Sequence, residues 1–326
     1  MMFHYGLILG ETAINDILLT DYAGYAVEFF FLLSGFFMAY NYKERIAKMT
    51  FGEFVNKKIK KSYLQYVAAC AFAIIVSAVE YLIFKTNSYA ENFDIKDIIL
   101  TVLLLKIRGF NGNPFGNVTW FVCVLICCYI LFYLVCRLSK NNIIYRFFCL
   151  LLIVLGIACI ANGKYPLLTG DYGRGYLSFF LGCILWELEF HIECSERYRK
   201  AISVFVMIYL IVGIIILVLL SGEHLQIILT LCIYPALLYI LLHFKPLIRV
   251  LTISRIQQLG SLSMPIYYSH YTFLVIVAMI SGYGMLNIRF SESWIEIAII
   301  FIGIILGYVI SLISKYIKKV TCNEYN

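Results

Sequence analysis

Long apolar runs separated by short polar connections dominate the chain. Runs long enough to cross ~30 Å of hydrocarbon read as 24–41, 64–84, 119–138, 144–161, 175–190, 201–220, 226–243, 262–281 and 295–317. The run 175–190 is the shortest and can extend by a turn at either end. Residues 1–10, MMFHYGLILG, read as the outer half of a further helix that begins upstream, because at ~1.5 Å per residue so short a run cannot cross. Ile95–Leu105 is apolar but short, which suits an interfacial or re-entrant segment. No repeat or low-complexity segment interrupts the pattern, and connections are short except 42–63 and 85–118. The pattern predicts an all-α polytopic membrane protein with about ten transmembrane helices, the first one truncated. Residues 1–326 read as a single transmembrane domain.

Composition agrees. The 326 residues are 62% hydrophobic and 14% charged, with a mean hydropathy of +0.88; a soluble domain carries roughly 25% charged residues. The net charge of +7 therefore reflects position relative to the bilayer rather than a nucleic-acid partner. On alternate connections, 19 of the 26 basic residues fall on one side, seven of them in 42–63. That side is expected to be cytoplasmic, with both termini on it, and Ile95–Leu105 is expected not to cross. MMFHYGLILG carries no basic n-region and is not a secretory signal peptide. Of the 11 cysteines, nine lie in apolar runs at no zinc-ligand spacing, so they read as small buried hydrophobes and no metal site is expected.

Ala26–Tyr42, AVEFFFLLSGFFMAYNY, places one acid in an apolar run. Glu28 either lies in the headgroups or faces protein, since a carboxylate in lipid costs several kcal/mol. Gly35 lies about two turns further along the same face, where a small residue lets a neighbouring helix approach. Ser34 reads as a helix-packing residue. His191, His224 and His243 fall at helix ends or turns, where solvated roles are expected. His4 and His270 fall inside apolar helices, as functional groups or as histidines bonded to a neighbouring helix. His4 and Glu28 lie at similar depths on consecutive helices, where a carboxylate would orient the imidazole. A neutral histidine so placed takes the proton from a hydroxyl attacking a carbonyl. Lys57, Lys58, Lys60 and Lys61 suit anionic lipid, or the phosphates of a coenzyme.

The chain resembles the integral-membrane acyltransferase 3 family of bacterial O-acyltransferases along essentially its whole length. Val27–Phe36, VEFFFLLSGF, resembles the family's hydrophobic-acidic-Phe-Phe…Ser-Gly-Phe run. Phe54–Tyr66 resembles its basic stretch, with Lys58 and Lys61 where arginines are usual. VTWFVC, through Trp120, is similar to its Trp-Phe-Leu element. GYLSFFLG (175–182) and SMPIYYSH, ending at His270, resemble its Phe-Phe-x-Gly and Tyr-x-x-His elements. The family's Arg ten residues before the first-helix His has no counterpart here, and Leu64 stands where Pro is common.

The resemblance implies transfer of an acyl group, acetyl first among the candidates, from acyl-CoA to a hydroxyl of a cell-surface glycan or lipid-linked sugar. Acetyl-CoA is then a donor substrate and no bound cofactor is expected. His4 and Glu28 are the expected catalytic pair; Lys58, Lys61, Trp120, His270 and Ser34 are the expected donor- or substrate-binding residues. The expected location is the bacterial plasma membrane. With no hydrolase-like domain after the last helix, the membrane domain is expected to deliver the acyl group itself or to a partner protein. A transporter or exporter of a glycan or small molecule shares the helix count and buried charges, although two similar halves are absent. A membrane scaffold or sensor is the third class.

Overall fold

In the computed structural model the described residues are 8, 22–85, 99, 102–103, 119–165, 167–193, 199–220, 225–282 and 293–323. Each apolar run long enough to cross falls on helical chain. Most of the two shorter runs, 1–10 and 95–105, lies outside the described residues. A 3-10 turn, Tyr22–Tyr25, leads into α1, Ala26–Tyr42. Then come α2, Phe51–Phe54, a π-turn, Val55–Ile59, and α3, Lys60–Phe84. Next are α4, Thr119–Leu138, and α5, Asn142–Asn162. A two-residue hairpin, Lys164–Tyr165 with Leu168–Thr169, joins α5 to α6, Gly170–Glu193. The chain continues through α7, Arg199–Leu219, and α8, Leu225–Ile228, to a second π-turn, Leu229–Ile233. It ends with α9, Tyr234–His243, α10, Lys245–Leu251, α11, Ser254–Ser261, α12, Ser263–Gly282, and α13, Ser293–Asn323.

Among the described residues six helical stretches are long and apolar enough to cross a membrane, α8 to α9 counting as one. The architecture is that of an all-α membrane protein. Polar caps start the helices at the loops: Thr50 and Glu53 form a reciprocal capping box on α2, and the Asn141 side chain accepts from the Ile144 N–H at 2.9 Å.

α6 is the centre of the bundle, packed between α1 and α5 and touching α4. It begins five residues before the run 175–190 and ends three after it. Hydropathy misses this polar first turn, GDYGR, whose arginine is paired with an acid of α1. Glycines set the approach. Gly35 of α1 lies directly against the backbone carbonyl of Phe179, and Gly182 of α6 against the backbone of Leu32 and Phe36. The small residue that the sequence places on the same face as Glu28 therefore meets α6. Around this seam Phe31, Phe132, Tyr172, Phe179 and Phe180 are fully buried. None of the nine described cysteines is in a disulfide, and six of them are buried in the packed interior.

Candidate functional site

The first turn of α1 holds Glu28, and the early turns of α6 hold Arg174. Arg174 Nε donates to Glu28 Oε1 at 2.5 Å, and its Nη2 donates to the Gly24 carbonyl at 3.2 Å. Glu28 is 1% exposed, so the lipid-headgroup alternative does not hold; it faces protein. A buried carboxylate loses its hydration, and only a cation held by further contacts offsets that cost. Trp120, on the first turn of α4, supplies one: the guanidinium carbon lies 4.7 Å from its ring centroid. Phe31 packs its ring 4.6 Å from Phe121, and Phe121 lies 5.1 Å from Tyr267 of α12. Tyr234 donates to the Tyr25 carbonyl at 2.7 Å and packs 5.3 Å from Phe29. Five helices thus converge on one ion pair. Among the described residues Glu28 Oε2 is buried without a hydrogen-bond partner.

His270 is 3% exposed and lies 5.8 Å ring-to-ring from Tyr267. Its Nδ1 is 2.7 Å from the Tyr267 carbonyl and 3.2 Å from that of Ile266. Carbonyls only accept, so Nδ1 carries a proton. Both of these contacts are within its own helix. Ser34 of α1 faces the Tyr129 side chain of α4.

Lys58 falls in the first π-turn. Its ammonium lies 4.5 Å from the Tyr42 ring centroid, and burial lowers its pKa. The Lys61 side chain and the whole of His4 lie outside the described residues, and so does the expected contact between His4 and Glu28.

A second charged cluster occupies the opposite end of α6. Glu187, buried, binds Lys43 through Oε1 and the Arg146 Nε through Oε2, the latter at 2.6 Å. Lys43 also donates to Asn142 Oδ1 at 3.1 Å and sits 4.3 Å from the Tyr145 ring centroid. Nearby, His243 Nε2 lies 2.6 Å from Glu189 Oε1. His243 is thus a bonded, largely buried group rather than the solvated one its position at a helix end suggests.

A sequence model of the acyltransferase domain family, acyltransferase 3, matches residues 1–315. The chain belongs to this family. No curated protein and no solved structure matches it. The acyltransferase domain therefore spans both charged clusters. Arg174 is the site residue that hydropathy and charge counting miss, because it ranks there as one of seven basic residues on the sparse side. A signal exists: an arginine immediately before the apolar stretch GYLSFFLG cannot leave a helix that continues through it.

Proposed function

We propose that this membrane acyltransferase is an O-acyltransferase that moves an acetyl group from acyl-CoA to a hydroxyl of a cell-surface glycan or lipid-linked sugar. The observation that carries the reading is buried Glu28: one carboxylate oxygen is fixed by Arg174, and the other has no hydrogen-bond partner among the described residues. A group so held orients a base. His4 receives that role, with Glu28 Oε2 accepting from one ring nitrogen while the other takes the proton of the attacking hydroxyl. The hydroxyl oxygen bonds to the thioester carbonyl carbon, the C–S bond breaks, and the thiolate leaves and recovers the proton. Lys58 and Lys61 meet the coenzyme phosphates from the cytoplasm, and Trp120, His270 and Ser34 line the path of the substrates. The frame is ten transmembrane helices in one domain, with both termini cytoplasmic, in a bacterial plasma membrane.

His4→Ala is expected to abolish acetyl transfer to the surface glycan at an unchanged amount of inserted protein; an active variant overturns the role of His4. Glu28→Gln keeps shape but not charge, and is expected to lower kcat with little change in either KM. Because the two residues act as a unit, the double variant is expected to be scarcely worse than His4→Ala, whereas additive losses mean that they act separately.

A further inference from the structure

The helix from Leu225 to His243 changes register at Leu229–Ile233, where the backbone adopts a π-turn. Such turns insert one residue into the helical ladder and rotate the remainder of the helix by about 100°. The sequence explains its place. Pro235 has no N–H, so the Leu231 carbonyl four residues earlier has no α-helical donor. The Tyr209 hydroxyl of α7 supplies the missing donor to that carbonyl. Gly213, one turn further on α7, allows the close approach: a Cβ there would lie 2.6 Å from the Cys232 carbonyl oxygen. On the other side the buried Thr230 hydroxyl lies 3.5 Å from that of Ser178 on α6, one turn after Arg174.

The first residue after this turn is Tyr234. Its hydroxyl bonds the Tyr25 carbonyl, and the preceding carbonyl, Gly24, takes Arg174 Nη2. Its ring packs on Phe29, next to Glu28. Tyr234 therefore grips the chain on both sides of Glu28 and fixes the backbone on which Arg174 rests.

The geometry points to Tyr234 as a positioning residue for the Glu28–Arg174 pair, held in place by the π-turn and, through Leu231, by Tyr209. Its effect on rate rests on the acyl-transfer reading above; its effect on the carboxylate does not. Without the Tyr234 hydroxyl the Gly24–Tyr25 backbone relaxes, Arg174 loses its second anchor, and Glu28 spends more time unpaired.

Two measurements on full-length protein in proteoliposomes test this. Dicyclohexylcarbodiimide reacts with unpaired, protonated carboxyls in apolar surroundings, and peptide mapping locates the adduct on Glu28. Tyr234→Phe keeps the ring and is expected to raise the Glu28 labelling rate several-fold toward that of Arg174→Gln. It is also expected to lower kcat by roughly two- to tenfold, the range for one lost hydrogen bond, with donor KM unchanged. Tyr209→Phe should shift both readouts in the same direction, and the double variant should match Tyr234→Phe alone. Wild-type labelling in Tyr234→Phe overturns the proposal, as does additivity with Tyr209→Phe. Absence of acetyl transfer by the wild type sinks the functional reading, while the labelling arm still judges Tyr234.

Discussion

A carboxylate inside the bundle is stable only through the groups around it. Glu28 Oε1 depends on Arg174, and Arg174 depends on Trp120 and the Gly24 carbonyl. Arg174→Gln leaves Glu28 uncompensated and is expected to cost about 3–5 kcal/mol, seen as a lowered melting temperature in detergent. Adding Glu28→Gln should recover most of that stability without restoring activity, because the charge needed for catalysis has gone. Equal melting temperatures for Arg174→Gln and the wild type would mean that the pair carries no such load. Lys58 makes a prediction in the other direction. Burial lowers its pKa, so the folded protein gives up this proton at a lower pH than the unfolded chain, whose value is near 10.5. The cost of burying the ammonium is thus fully present below the folded pKa and is relieved as pH rises between the two values. A coenzyme phosphate on Lys58 would restore the charged form. Affinity for acyl-CoA is therefore expected to weaken as pH rises through that window, and Lys58→Arg, charged throughout, should flatten the profile. A pH-independent affinity in the wild type would leave Lys58 as a lipid anchor.

At the scale of elements, the seam between α1 and α6 depends on glycine. A Cβ on Gly35 would collide with the Phe179 carbonyl, a backbone atom that no rotamer change can move. Gly35→Ala is expected to cost about 1–3 kcal/mol or more, measured as thermal stability. Gly52→Ala is the control: it sits exposed in α2 with open space around it, and should be neutral or stabilising by about 0.5–1 kcal/mol. Equal behaviour of the two variants would remove the packing argument. Helix positions were legible in the sequence because lipid demands continuous apolar runs, and every run long enough to cross carries helix. The close face at Gly35 was legible for the same reason. What was not legible has physical causes. The polar first turn of α6 hides Arg174 from any hydropathy window, since its charge is cancelled by a residue 146 positions earlier. The two π-turns leave little trace in composition; one is marked by Pro235, the other by nothing we identify. The Glu187 cluster escapes because Lys43 and Arg146 count in sequence as free cytoplasmic cations and only the fold pairs them.

At the scale of the molecule, α6 carries both charged clusters, Arg174 near one end and Glu187 near the other. Thirteen residues separate them, roughly 20 Å along the axis. That distance fits an α6 that crosses most of a bilayer, with Glu28 and Arg174 toward one surface and the basic connections at the other. Yet α6, although long enough to cross, is less apolar than the six stretches described above. The physical argument for crossing is that lipid hardly touches it: α1 and α5 cover its sides, so its polar ends are solvated by protein rather than by hydrocarbon. Crossing has a definite consequence. Between Tyr165, exposed on the hairpin, and Arg249, exposed on α10, lie α6, α7 and the helix α8 to α9. Three crossings place those two residues on opposite surfaces, whereas two place them on the same one. Tyr165→Cys and Arg249→Cys, made separately and read against the parent's own cysteines, are expected to differ under a membrane-impermeant maleimide. Tyr165→Cys should label on intact cells, and Arg249→Cys only after permeabilisation. Labelling of both from the same side would mean that α6 does not cross, and the Glu28–Arg174 pair would then share a surface with the basic connections. The reverse pattern would put Lys58 outside, away from any cytoplasmic acyl-CoA, and would remove the donor half of the proposed reaction.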